Sequence, residues 1–198
     1  MNLPNKLSLL RVIMVPLFVA VMCIPSAEVF SAYETWFRII AAALFILTAL
    51  TDMLDGQIAR RCNLVTDFGK FIDPLADKFM VFGAMLAILY RFDYIRPLFV
   101  WAALIVIFRE LAITSMRLIV VNKSGTVVAA AWLGKVKTVT QIICIVTVLL
   151  EPVVIPSGNF VSDYNILSYV TIIAMTVMTL WSGIDYMKAY WPLLDPNK

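Results

Sequence analysis

Six apolar stretches separated by short charged ones make up most of the chain. Read without a single charge, they run Val12–Ala27, Ile39–Thr51, Phe79–Tyr90, Pro97–Phe108, Thr138–Leu150 and Tyr164–Ile184. A helix needs roughly 20 apolar residues to cross a bilayer, and only the last run is that long. The other five cross only if their helices take in neighbouring charges, giving expected spans at about 7–25, 36–60, 69–90, 97–121, 132–151 and 164–186. Charges at membrane depth are costly and turn toward a bundle interior or a wet cavity. The pattern therefore predicts a polar chamber inside a helical bundle. Periodicity does not sharpen these helices, because a helix that is apolar all round has no moment.

Composition agrees. The 198 residues are 62% apolar and 15% charged, with a mean hydropathy of +0.92, whereas soluble domains are about 45–50% apolar and about 25% charged. That excludes a secreted disulfide scaffold, a disordered chain and an ordinary cytosolic enzyme. With no repeats and no long linker, one domain over residues 1–198 is expected. Histidine is absent, which removes imidazole bases, His-metal sites and Ser-His-Asp triads. Cys23, Cys62 and Cys144 stand apart without metal or redox spacing and read as buried small apolar residues.

Lys and Arg counts orient the bundle. Lys6, Arg11, Arg60, Arg61, Lys70, Lys123, Lys135, Lys137, Lys188 and Lys198 fall on one side, and Arg38, Arg91 and Arg96 on the other. Ten against three puts both termini in the cytoplasm. The first apolar run has the basic flank of a signal peptide, but the count works only if it is kept as a span. Asn2–Arg11 is amphipathic, and a short interfacial helix is expected there, ahead of a bend at Pro16. The expected fold is thus all-α and polytopic: a six-helix transmembrane bundle with a short N-terminal interfacial helix and a polar cavity open to the cytoplasm.

Four of the thirteen acids fall close together: Asp52 and Asp55 on span 2, Asp73 and Asp77 on span 3. Spacings of three and four put each pair on one helix face, and antiparallel neighbours bring the pairs to one depth at the cytoplasmic end. Such a group stays ionised only beside basic partners or divalent cations. An all-oxygen donor set favours hard ions such as Mg²⁺ or Mn²⁺, and four carboxylates suit the two-metal arrangement used in phosphoryl displacement. Helix capping and salt bridges to Arg60, Arg61 and Lys78 are the structural alternative. Gly56 and Ala59 keep the acidic face bare of bulk. Arg60 offers a fork suited to phosphate, and Gly69 lies near the start of span 3, where free backbone N–H groups favour an anion.

Asp52-Met-Leu-Asp55-Gly56-Gln-Ile-Ala59-Arg60, then Gly69, Asp73 and Asp77, resembles the signature of the CDP-alcohol phosphotransferase family, with every fixed position present. The resemblance implies that Asp52, Asp55, Asp73 and Asp77 hold two divalent metals and that Asp77 is also the base for the acceptor hydroxyl. It implies that Gly56, Ala59, Arg60 and Gly69 line the CDP-lipid site, with Asn5 assisting, and that CMP is displaced from a CDP-linked lipid.

The acceptor is read from span 4 and the start of span 5. Arg109, Glu110 and Arg117 lie within span 4, and Lys135 and Lys137 open span 5. If metals take the aspartates, Glu110 is the only other acid at that depth, so an anionic acceptor would satisfy the remaining cations. Snorkelling to lipid headgroups is the alternative. Phe71–Lys78, Arg109-Glu110-Leu111, Gly134–Thr138 and Asn5–Arg11 resemble the branch of the family that makes phosphatidylglycerophosphate, although Ser8 stands where threonine is expected. Arg109, Arg117, Lys135 and Lys137 would then bind glycerol 3-phosphate. The implied partners are CDP-diacylglycerol, glycerol 3-phosphate, membrane lipids and a second copy of the chain, with no nucleic acid. Another acceptor such as inositol phosphate, or a divalent-cation transporter, are the competing readings.

Overall fold

The computed structural model describes residues 2–24, 32–61, 66–124, 132–155 and 158–191. Among them are six long helices and one single turn: α1 Leu3–Cys23, α2 Glu34–Arg61, α3 Asp67–Arg91, α4 Arg96–Ser124, α5 Trp132–Val154, α6 Phe160–Asp163 and α7 Ile166–Tyr190. No strand occurs among the described residues. Five helices are long and apolar enough to cross a membrane, namely α1, α2, α4, α5 and α7. The chain is a multi-pass membrane protein. The sixth expected span, α3, has 25 residues, about 37 Å at 1.5 Å per residue, but its first half carries Asp67, Lys70, Asp73, Asp77 and Lys78. Its second half turns one face into the core, with Ala84, Met85 and Ile88 fully enclosed, and leaves Leu86 and Tyr90 exposed.

The opening segment does not form a helix of its own. α1 runs unbroken from Leu3 to Cys23 with Pro16 inside it, and Asn5, Ser8 and Arg11 are buried. Their spacing of three sets them on one stripe, and that stripe turns inward, so the amphipathic pattern belongs to the first span rather than to an interfacial helix.

Chain neighbours are not always packing neighbours. α1 packs extensively on both α2 and α3, whereas α2 and α3 touch each other little among the described residues. α7 packs on α4 and α5, and α2 joins this second group through α5. The bundle thus has two three-helix halves. Small residues let the helices approach where no water-driven hydrophobic force acts between them: Ala41, Ala42, Ala76, Ala84, Ala87, Ala102 and Ala103 are all buried. The tightest approach is at Gly83, where a Cβ would stand 2.6 Å from Val15 Cγ1.

Polar groups gather at the two ends of this apolar core. At the end away from Asp73, Arg38 donates to Glu34 Oε1 at 2.8 Å, with Arg91 3.2 Å from the same oxygen. The Arg38 guanidinium lies 4.4 Å from the centre of the Phe92 ring. Glu151, 3% exposed, accepts from Leu167 N at 2.9 Å, from Ser168 N at 2.8 Å and from the Ser168 hydroxyl. A carboxylate at a helix start satisfies orphan N–H groups and complements the dipole. Burial raises the Tyr94 hydroxyl above its ordinary range, with Arg38 pulling the other way. Cys144 is buried and Cys23 half-buried, both as free thiols, and Cys62 lies outside the described residues.

Gly83→Ala should cost about 1–3 kcal/mol, the usual penalty for overpacking. The expected readout is a lower temperature of irreversible inactivation in detergent. An unchanged temperature would mean that α1 and α3 can part without loss.

Candidate active site

α3 begins with a cap that also fastens α1. The Thr66 hydroxyl accepts from Gly69 N at 3.0 Å and donates to Asn5 Oδ1 at 3.0 Å, so one side chain ends the helix and ties it to α1. A Cβ on Gly69 would sit 2.9 Å from Asn5 Oδ1 and 3.2 Å from Thr66 Oγ1. Glycine is needed here for close approach. The free N–H expected at Gly69 is instead taken by the cap. One turn further on, the Ser8 hydroxyl, fully buried on α1, donates to Asp73 Oδ1 at 2.5 Å.

Asp73 and Asp77 open onto a cleft of about 440 Å³ at the seam between the two halves. α3 contributes Asp73, Asp77 and Lys78, α4 contributes Arg109, Glu110 and Arg117, α5 contributes Gly134, Lys135, Lys137 and Thr138, and α7 contributes Tyr186. Among the described residues five cations thus face three carboxylates. Arg117 and Lys135 are exposed in the cleft and have no ion pair among the described residues. Arg109 and Lys137 are committed differently. Glu110 Oε1 takes Arg109 Nη1 at 3.0 Å and also the Lys137 ammonium. Lys137 is 6% exposed, so it is buried in an ion pair and does not snorkel.

The expected acceptor residues Arg109, Arg117, Lys135 and Lys137 therefore do converge, and they converge beside Asp73 and Asp77. The expected metal group is only half visible. Asp52 and Asp55 lie on α2, but their side chains, with those of Ala59 and Arg60 and the position of Gly56 in the site, fall outside the described residues. Among the described residues no three metal-ligating side chains cluster. Asp73 and Asp77 fit hard-ion ligation so far as they go: both are oxygen donors one turn apart, and Ser8 holds one of them.

Sequence reasoning named Ser8 only as a variant of a motif, Glu110 only as an acid in need of partners, and Tyr186 not at all. The inward stripe Asn5–Ser8–Arg11 was a signal for the first. Tyr186, just beyond the longest apolar run, carried none.

Comparison with known proteins bears on this geometry directly. The sequence model of the family described as CDP-alcohol phosphatidyltransferase matches residues 1–183. The chain belongs to the CDP-alcohol phosphatidyltransferase family. It is 38% identical over 200 residues to the CDP-diacylglycerol–glycerol-3-phosphate 3-phosphatidyltransferase of Bacillus subtilis (strain 168), covering 99% of this chain and 98% of that protein. Proteins of the same name from Yersinia enterocolitica and Sodalis glossinidius are 34% and 35% identical, covering 99% and 96% of this chain and 99% and 94% of their own lengths. As a phosphatidyltransferase the chain is an enzyme, and the transporter reading is not favoured. The apolar core, including Met85, Ile88, Val148 and Met175, lies between the polar ends and leaves no charged path across among the described residues.

Ser8→Ala should lower transferase turnover about tenfold, since a hydrogen bond to a charged group contributes about 1.5–3 kcal/mol, and Ser8→Thr should keep most of it. Turnover in Ser8→Ala equal to that of the parent would remove Ser8 from the site.

Proposed function

We propose that this enzyme transfers the phosphatidyl group of CDP-diacylglycerol to the primary hydroxyl of glycerol 3-phosphate, giving phosphatidylglycerophosphate and CMP. One observation carries the reading: a single cleft has carboxylates on its α3 wall and the cations of α4 and α5 opposite. Glu110 offsets part of the charge of Arg109 and Lys137, but Arg117 and Lys135 remain for an anion. A phosphate monoester fits this surplus; a neutral polyol, or serine with its balanced charges, does not need it. The names of the relatives support the same pair of substrates.

In this mechanism Arg109, Arg117 and Lys135 bind the acceptor phosphate, with Lys137 behind them supporting Glu110. Held there, the acceptor directs its primary hydroxyl toward Asp77. Asp77 takes the hydroxyl proton as the oxygen bonds to the phosphorus bearing diacylglycerol, and the bond from that phosphorus to CMP breaks. Positioning of this kind removes much of the entropic barrier to a two-substrate step. Gly56, Ala59, Arg60 and Gly69 line the nucleotide side, Gly69 by letting α1 close on α3 and Asn5 through its link to Thr66. Two divalent ions, Mg²⁺ or Mn²⁺, would be held by Asp52, Asp55, Asp73 and Asp77 and would neutralise charge on the pyrophosphate. The excess of Lys and Arg at this end supports an active site and both termini in the cytoplasm, in a cell membrane. A homodimer belongs to the same reading on the strength of the family resemblance.

The decisive assay is CMP release by purified protein from CDP-diacylglycerol and Mg²⁺, with glycerol 3-phosphate, inositol phosphate, serine or no acceptor. Release should require both the metal and glycerol 3-phosphate. Release with a different acceptor would keep the family and overturn the acceptor reading. Asp77→Asn should abolish turnover while CDP-lipid binding persists. Arg117→Ala should raise the KM for glycerol 3-phosphate at least tenfold, as expected for loss of a charge-assisted contact of about 1.5–3 kcal/mol.

A further inference from the structure

α7 carries the longest uncharged run in the chain and reads as a plain membrane anchor. Its last turns do something else. Gly183 and Tyr186 are three residues apart and share a helix face, and both meet Arg109 of α4. A Cβ on Gly183 would come within 3.2 Å of Arg109 Cγ, so the arginine stem lies along the bare backbone of α7. The Arg109 guanidinium carbon lies 5.3 Å from the centre of the Tyr186 ring, within cation–π range.

The ring is itself held. Tyr186 is 4% exposed and stacks on Tyr190, with centroids 6.0 Å apart and planes 12° apart. Its far side rests on α5 at Gly134, where a Cβ would come within 3.2 Å of Tyr186 Oη and 3.4 Å of the ring. Arg109 has few other restraints. Glu110 takes Nη1 at 3.0 Å, and Nε is buried with no hydrogen-bond partner among the described residues. An arginine whose Nε finds no acceptor is oriented by its ring contact and a single carboxylate. Both Arg109 and Tyr186 line the cleft that faces Asp73 and Asp77.

We infer that Gly183 and Tyr186 of α7 are positioning residues for the acceptor, forming a cradle that fixes the plane of Arg109 so that its remaining edge meets the acceptor phosphate. Tyr186 touches no reacting atom in this role; it acts through Arg109. Gly134 belongs to the same device, since it makes the room in which the ring stands. This role rests on the reading that the cleft binds glycerol 3-phosphate through Arg109. α7 is thereby part of the acceptor side of the cleft, and acceptor affinity depends on how α4, α5 and α7 meet.

The test is full kinetics on the intact enzyme in detergent for Tyr186→Phe, Tyr186→Leu, Arg109→Ala and the double variant Arg109→Ala/Tyr186→Leu. Tyr186→Phe keeps the ring and should stay within twofold of the parent. Tyr186→Leu should raise the KM for glycerol 3-phosphate about tenfold, with the KM for CDP-diacylglycerol unchanged and kcat within threefold. The double variant should be no worse than Arg109→Ala alone, because the tyrosine acts only through the arginine. Gly134→Ala, which presses on the ring without removing it, should raise the same KM about threefold and serves if Tyr186→Leu fails to fold. If Arg109→Ala raises the acceptor KM while Tyr186→Leu and Gly134→Ala leave it alone, or raise both substrates' KM together, the cradle is refuted and the cleft survives. An unchanged acceptor KM in Arg109→Ala overturns the cleft reading at this residue, and the cradle with it.

Discussion

Hydrocarbon cannot solvate a charge, and the described ion pairs of this molecule sit where that penalty is met. A charged side chain at the bilayer centre costs several kcal/mol at least, so the described charges lie to either side of an apolar core of Ala, Ile, Val, Phe and Met, and mid-helix ones such as Arg109 and Glu110 face the cleft. The two ends meet the cost differently. At one, Glu34, Arg38 and Arg91 pair off and Glu151 is absorbed into the start of α7. At the other, Glu110 neutralises part of a cationic group and leaves Arg117 and Lys135 facing an open cleft. The charge left uncompensated there among the described residues faces the cleft.

Packing order turns that charge distribution into an active site. α1 packs on both α2 and α3, which touch each other little among the described residues. The same helix delivers Ser8 to Asp73 and Asn5 to Thr66. Gly83 and Gly69 set the spacing, the first by letting Val15 close on α3 and the second by admitting Asn5. The acceptor side is built by the other half of the bundle, where Gly134 and Gly183 make room for Tyr186 and Arg109. Four glycines therefore set how closely the helices approach, two between α1 and α3 and two around Arg109 and Tyr186, and none of them is there for backbone conformation.

Much of this was legible beforehand, for reasons that differ by residue. The signature from Asp52 to Asp77 is local in sequence, and its spacing alone sets which carboxylates share a helix face. Arg109, Arg117, Lys135 and Lys137 were legible because a cation inside an apolar run demands an explanation. What could not be read was who satisfies whom. Lys137, read as an acceptor ligand with the headgroups as the alternative, is buried against Glu110, and the Gly69 N–H is taken by the Thr66 cap. Tyr186 was invisible, since an aromatic residue at the end of an apolar helix is what lipid contact also selects.

The sequence by itself determined that this chain lies in a membrane, that it folds as helices, and that no histidine is available to its chemistry. Each of these follows from composition or from spacings within one helix, where 1.5 Å and 100° per residue leave little freedom. Only the tertiary structure decided that α1 packs on both α2 and α3, that Glu110 serves two cations at once, and that α7 reaches the cleft through Tyr186. Those are contacts between helices that are alike in hydropathy. Lipid gives such surfaces no hydrophobic preference for one partner over another, so the choice falls to the shapes of glycine, alanine and ring at each crossing, and shape complementarity is not written in any one segment.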